Sequence, residues 1–407
     1  MRIGAVAVAA VVVAEAAVWV MRPRGEIVRP APVSEHAYFS QGQIDRATDF
    51  RDGQRLLALG TLAAEGAVLV LLVVWRPGPL RTGLRRASRR PLLGAAAVGA
   101  GLSLTLVAVS LPFGVAAQQR AHDAGLSTQA LGSWFADAAK SAAIGAVIAG
   151  VGAAIAVAMM RRLGRLWWIG GSFAVVLVAC AFSWLGPVVL EPLFNKFEEL
   201  PPGRTRTEIL RLGERAGVKI GHVYRVDASR RTTGINAYVN GLGPTKRVVV
   251  YDTTLRDLRP AELRSVLAHE LGHVKGDDIV RGIAWLALVA PLAVLFVQLG
   301  TEALARRSGD DPRSPAALPA LALCLAAASF MTGIVGNQLS RRVEARADSF
   351  ALQVTHDPRA FIGLQRQLAI TNLAQPRPPS ALQWLFGTHP DTMERIGTGV
   401  AIERARR

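Results

Sequence analysis

The chain has 407 residues, 51% of them apolar and only 19% charged, at a mean hydropathy of +0.30. That balance excludes intrinsic disorder and argues against a wholly soluble enzyme. The net charge of +17 is carried by 42 arginines and only 5 lysines, gathered beside apolar stretches, where the positive-inside effect is its ordinary cause. No zinc-knuckle, RNP or helix-turn-helix signature accompanies it, so nucleic acid is not an expected partner. Cys180 and Cys324 both sit in apolar runs and make no disulfide framework.

A bilayer span needs about 20 mostly apolar residues. Seven stretches qualify, near 3–21, 56–75, 92–117, 134–160, 166–190, 279–301 and 316–337. The first reads as an uncleaved anchor, because Glu15 interrupts it and Pro23, not a small-residue cleavage site, follows it. The third and fourth are rich in Gly and Ala (Gly94, Gly99, Gly101, Gly145, Gly150, Gly152), as expected where two helices approach closely. Glu15, Glu65, Asp137 and Lys140 lie in or beside spans and should face the protein interior or a wet cavity.

Two segments are polar. Residues 191–278 open with Leu200-Pro201-Pro202-Gly203 and continue as an amphipathic helix near 207–216. Two β-like runs follow, 221–226 and 246–251, with the turn Asn240-Gly241-Leu242-Gly243 before the second. A helix over 261–274 begins behind Pro260. Residues 338–407 form a polar helical tail. The expected architecture is a mainly α, multi-pass membrane protein with a small α+β domain. Its parts are a five-span region at 1–190, the α+β domain at 191–278, spans six and seven at 279–337, and the tail at 338–407.

The chemistry lies in the 261–274 helix, which carries His269-Glu270-Leu271-Gly272-His273. Positions i and i+4 share one helix face, so both imidazoles can bind one metal, and Glu270 is placed as general base toward the water that such a metal activates. The bland alternative, a chance cluster, is rare in a chain with seven histidines. A catalytic zinc keeps three protein ligands and an open position. Glu344 is the candidate third ligand, because a chain that enters by span six and returns by span seven puts it on the same membrane face as His273. Both stand on the order of 10 Å beyond the apolar slab at 1.5 Å per helical residue. Asp348, one turn on, is placed to accept an N–H from a ligand histidine. The competing reading of Glu344 is an ion pair with Arg341 or Arg342. His36, His122, His222 and His356 have no partner spacing and read as surface residues.

These residues resemble a family, the membrane-integral M48 zinc metallopeptidases of the Ste24-type, CAAX prenyl protease 1 branch. The resemblance rests on His269-Glu270-Leu271-Gly272-His273, on Glu344-Ala345-Arg346-Ala347-Asp348, and on Asn236-Ala237-Tyr238-Val239-Asn240-Gly241-Leu242-Gly243 running into Lys246-Arg247-Val248-Val249-Val250-Tyr251-Asp252-Thr253. Pro192-Leu193-Phe194-Asn195-Lys196-Phe197, Thr388-His389-Pro390 with Arg395, and 47–57 are similar too. It implies seven membrane helices forming a barrel around a water-filled chamber with one zinc (Zn2+) at one end, bound by His269, His273 and Glu344. It implies peptide-bond hydrolysis with Glu270 as base. The implied partners are peptide or protein substrates, lipidated and membrane-associated ones among the candidates, and the bilayer itself.

The oxyanion that develops in such a reaction needs donors besides the metal, and Asn236 and His389 are the candidates. Taken alone, Asn236 reads as a turn residue and His389 as a solvated loop histidine; the resemblance turns both into site residues and adds Arg395 beside Asp348 as a supporting one. The β-like run after Asn236 offers an edge for an extended substrate. A quality-control protease clipping misfolded membrane proteins shares this chemistry, whereas a transporter would place its polar groups at mid-membrane. Orientation is contested. Six arginines between spans two and three (Arg76, Arg81, Arg85, Arg86, Arg89, Arg90) and three between four and five (Arg161, Arg162, Arg165) would put those loops in the cytoplasm. The family resemblance implies a cytoplasm-facing zinc site at the cell membrane, flanked by Arg341, Arg342 and Arg346, and is followed here.

Overall fold

The computed structural model describes residues 2–241 and 246–406. The Leu242-Gly243 half of the expected turn lies outside the described residues. Apolar helices α1 (Arg2–Met21) and α2 (Gln41–Val74) are followed by the short α3 (Gly78–Ser88), then α4 (Pro91–Asp123), α5 (Leu131–Leu163) and α6 (Trp167–Leu185). Among the described residues six continuous helical stretches are long and apolar enough to cross a membrane. The fourth, Leu131–Leu193, is broken at Gly164 into α5 and α6, so seven apolar helices stand where seven spans are expected.

The polar segment after α6 builds β1 (Phe197–Glu199), α7 (Arg204–Ala216), β2 (His222–Val226), β3 (Ala237–Asn240), β4 (Arg247–Tyr251), α8 (Asp252–Asp257) and α9 (Pro260–Lys275). The remaining helices are α10 (Asp278–Arg307), α11 (Leu318–Thr355), α12 (Pro358–Thr371), α13 (Ser380–Phe386) and α14 (Thr392–Ala405). The two β-like runs become β2 and β4, paired in parallel as Val223 with Val248 and Tyr224 with Val249. The strand order is β1-β2-β4-β3, with β1 and β3 antiparallel to their neighbours, which leaves β3 at an edge. Helix α9 lies on this sheet through Leu267 and Leu271, in one core with Leu212, Val223, Val250 and Phe361.

The membrane helices close a ring in which α2 touches α4, α4 touches α5, α5 touches α6, α6 touches α10, α10 touches α11, and α11 returns to α2. Helix α1 packs in the groove between α10 and α11, where Ala14, Ala17 and Val18 meet Val289, Val335 and Leu339. The Gly/Ala-rich spans are α4 and α5, and their closeness is real: a Cβ on Gly99 would stand 2.5 Å from the Ala153 Cβ and 2.6 Å from the Ala149 carbonyl oxygen. Helix α11 runs without a break through residue 337, so the last span and the segment carrying Glu344 are one rod. Of the ionisable groups in the spans, Glu15 accepts a hydrogen bond from Gln338 Nε2 at 2.7 Å. Asp137 lies at the ring's catalytic end, where Arg231 of the polar segment donates to it at 2.7 Å and Lys140 pairs with it at 3.0 Å.

Candidate functional site

Helix α9 starts cleanly. Pro260 is its first residue, and the side chain of Glu262 accepts the backbone N–H of Arg259 at 3.0 Å. A spacing of four positions then brings the rings of His269 and His273 edge to face, 4.8 Å between centroids. The third residue comes from α11, which can approach because residue 272 is glycine. A Cβ there would lie 3.2 Å from the Ala347 Cα. One turn before that contact on α11 stands Glu344, and immediately after it Asp348.

The three groups converge. His269 Nε2 is 3.1 Å from His273 Nε2 and 3.1 Å from Glu344 Oε2, and His273 Nε2 is 3.5 Å from Glu344 Oε1. A tetrahedral zinc with bonds of about 2.0–2.1 Å holds its ligand atoms roughly 3.3 Å apart, so the spacing suits that ion. Glu344 Oε2 is buried and makes no properly directed hydrogen bond, an orphaned acceptor aimed between two imidazole nitrogens. Burial pushes the His269 pKa down, but Asp348 and Glu344 outweigh it and carry it up to about 10. The pocket therefore favours a positive charge between these donors. The expected alternative for Glu344 is not seen. Arg341 instead donates to the carbonyls of Gln383 and Gly387.

Each imidazole is held from behind. His269 Nδ1 lies 2.8 Å from Asp348 Oδ1, and Arg395 grips Asp348 with two hydrogen bonds, of 2.8 and 2.6 Å. His273 Nδ1 lies 3.0 Å from Asp278 Oδ2. Asp278 also accepts from Arg346 Nη2 at 2.5 Å and from Arg281 Nε at 3.3 Å, and Arg281 reaches the Met21 carbonyl at the end of α1. The sequence reading foresees Asp348 and Arg395 but misses Asp278. The signal was there as a carboxylate five residues past His273. What hid it is the turn into α10, where Asp277 adopts the left-handed conformation (φ 51) and swings Asp278 back onto the ring.

Glu270 is largely enclosed, with the Val239 N–H of edge strand β3 facing its carboxylate, and burial pushes its pKa up against the pull of His269 and His273. His389 is brought to the group after all, its Nε2 3.3 Å from Glu344 Oε2 and its side chain 55% exposed. Burial pushes its pKa down against the pull of Glu344. The Thr388 hydroxyl lies 2.8 Å from its Nδ1, and Gln383 Nε2 holds its carbonyl at 2.6 Å. Asn236 stands just before β3 with its backbone tied to Thr254 and the residue exposed; among the described residues it makes no hydrogen bond to His269, His273 or Glu344. His36, His122, His222 and His356 are all exposed.

Comparison with known proteins agrees with this geometry. Residues 199–399 match the model of peptidase family M48, and residues 63–196 match that of the CAAX prenyl protease N-terminal region with five membrane helices. The metalloprotease YhfN of Bacillus subtilis, described as uncharacterized, is 32% identical over 304 residues, which cover 72% of this chain and 70% of that protein. The chain belongs to peptidase family M48. It is a membrane-integral zinc metalloendopeptidase of the Ste24 type, multi-pass in the bilayer and acting on peptide bonds. A CAAX prenyl protease 1 homolog of Oryza sativa subsp. japonica is 31% identical over 243 residues, covering 57% of this chain and 54% of that protein. The crystal structure of S. mikatae Ste24p shares the fold, at a TM-score of 0.79 over 98% of both chains with 18% identity. The family implies zinc, and His269, His273 and Glu344 are grouped where they could hold a metal ion.

The matched pair of carboxylates behind the imidazoles gives a direct test. Asp278→Asn and Asp348→Asn should each weaken zinc binding about 10–100-fold in titrations of metal-free protein. Unchanged affinity in Asp278→Asn would reduce that residue to a purely structural one.

Proposed function

We propose that this endopeptidase binds one zinc per chain through His269, His273 and Glu344, with Glu270 as general base and His389 and Asn236 as donors to the developing oxyanion. The observation that carries the reading is the convergence of three ligand atoms, all within 4.8 Å of one another, beside a half-exposed histidine and an edge strand. When bound, the zinc supplies Lewis-acid polarisation of a carbonyl and acidifies water. Glu270 takes the proton of the attacking water and later delivers it to the leaving amine. Its place against the Val239 N–H puts the base next to β3, where an extended peptide adds as a further strand. With the Thr388 hydroxyl as donor to His389 Nδ1, the tautomer this role requires, the ring proton sits on Nε2, the nitrogen that faces Glu344. Asp348 and Asp278 orient the two ligand imidazoles, and Arg395 and Arg346 hold those carboxylates in place.

Glu270→Gln should keep one zinc per chain and lose proteolysis. His389→Ala should keep zinc and lower kcat on the order of 10²–10³-fold with little change in KM, the usual cost of one oxyanion donor. A wild-type rate in either variant removes that residue from the mechanism, and loss of zinc from His389→Ala means that the ligand set is misassigned.

The substrates we infer are membrane-associated peptides, prenylated C-terminal segments among them, on the strength of the relatives named CAAX prenyl protease 1. A farnesylated peptide should be cleaved well ahead of its unlipidated twin. Equal cleavage of both favours the quality-control reading, with the same chemistry on misfolded membrane proteins.

We place the catalytic end in the cytoplasm, following the family resemblance. The opposite end favours the reverse by the positive-inside preference, because Arg306, Arg307 and Arg313 join the nine loop arginines there. A reporter fused after Arg407 that is active only when exported should stay silent; its activity would overturn this orientation.

A further inference from the structure

At the end of the ring remote from the zinc ligands, the turn between α5 and α6 meets the loop between α10 and α11. Gly164 (φ 58) makes that turn, and the Arg313 guanidinium lies over it, 3.4 Å from where a Cβ would stand. Gln298 of α10 ties the turn down, its Nε2 donating to the Arg165 carbonyl at 3.1 Å and its Oε1 accepting from the Trp168 N–H at 3.1 Å. Between these elements is a cavity of about 210 Å³, lined by Arg165, Arg306, Arg313, Trp167, Thr301 and Glu302 among others. It is too small for a drug-sized molecule, for which roughly 300 Å³ is the lower bound, and of a size that suits a lipid headgroup.

Its charge is unbalanced. Glu302 is spoken for by Arg306 at 2.6 Å. Among the described residues the guanidinium groups of Arg165 and Arg313 make no ion pair and no hydrogen bond, although both are exposed at the cavity mouth. The surrounding face continues the pattern. Arg81, Arg85, Arg86, Arg89 and Arg90 on and after α3, with Arg161 and Arg162 at the end of α5, also lack carboxylate partners among the described residues. Among the described residues on this face, only Arg76 and Arg306 are paired, with Asp310 and Glu302. The cavity opens where apolar helices end, so it lies at headgroup depth, the level at which Trp167 and Trp168 are at home.

We propose that this cavity is a binding site for an anionic glycerophospholipid, with Arg165 and Arg313 holding the phosphodiester from two sides and the acyl chains running down the apolar outer faces of α6 and α10. A basic pocket between membrane helices at the interface is the arrangement that holds such headgroups, and it does so in whichever leaflet this face occupies. The bound phosphate would bridge the α5–α6 turn to the α10–α11 loop, where Arg313 lies over Gly164, while Gln298 ties the same turn to α10.

The test uses the full-length protein in detergent, titrated with short-chain phosphatidylglycerol, phosphatidylcholine and glycerol 3-phosphate, and read by native mass spectrometry and thermal unfolding. Phosphatidylglycerol should bind one tight site per chain and raise the unfolding temperature, while the other two bind weakly. The double variant Arg165→Gln/Arg313→Gln should bind phosphatidylglycerol on the order of 10-fold or more weakly, each basic residue near anionic lipid contributing about fivefold. Its zinc content and lipid-free unfolding temperature should match wild type, so that misfolding is not mistaken for lost binding. Arg85→Gln/Arg86→Gln, outside the cavity, should retain the tight site. Equal binding of phosphatidylcholine, equally tight glycerol 3-phosphate, or undiminished binding by the Arg165/Arg313 double variant would each overturn the proposal.

Discussion

Helix α9 and helix α11 come so close that a Cβ on Gly272 would lie 3.2 Å from the Ala347 Cα, and the rest of the site depends on that approach. One side of it offers His269 and His273, the other Glu344 and Asp348. Even a methyl at 272 would force the Ala347 backbone to give by a few tenths of an ångström, and the 3.1–3.5 Å separations among His269, His273 and Glu344 leave little room for larger shifts. The contact is possible because α11 is a continuous rod from the membrane to Thr355, so the position of Glu344 is set by the packing of the span below it.

Around this contact the structure solves an electrostatic problem. Two imidazoles and a carboxylate are gathered where water is scarce, and buried charges need partners to be tolerated. His269 and His273 each lean on a carboxylate, and each carboxylate on arginine: Asp348 on Arg395, Asp278 on Arg346 and Arg281. Those arginines come from α14, α11 and α10, so elements far apart in the chain converge on two rings. Arg281 extends the network to the end of α1, linking the first membrane helix to the second ligand histidine. The geometry of the His269–His273–Glu344 group is thus fixed from outside it, the kind of support that holds an imidazole in one tautomer and one orientation.

The same economy governs His389. It belongs to no helix, and 45 residues separate it from Glu344. Arg341, one turn before Glu344 on α11, holds the carbonyls that close α13, and Gln383 of α13 holds the carbonyl of His389 itself. A residue that the sequence offered as an ion-pair partner for Glu344 is instead the post on which the neighbouring loop is hung.

The sequence by itself determined the seven apolar spans, because length and hydropathy are local properties that a bilayer reads directly. It also determined that His269 and His273 share a helix face, since a spacing of four residues fixes that wherever the helix lies. Glu344 was legible through topology alone, as entry and return by consecutive spans leave it only one side. Strands β1 and β3 were less visible, being three and four residues long and carrying no pattern until β2 and β4 pair with them. Asp278 required the left-handed turn at Asp277, which the residues on either side do not announce. The approach of α9 to α11, the clamps behind each imidazole and the cavity at the far end exist only when distant segments meet. Spacing along a chain fixes what one helix presents. What that helix faces is decided by packing.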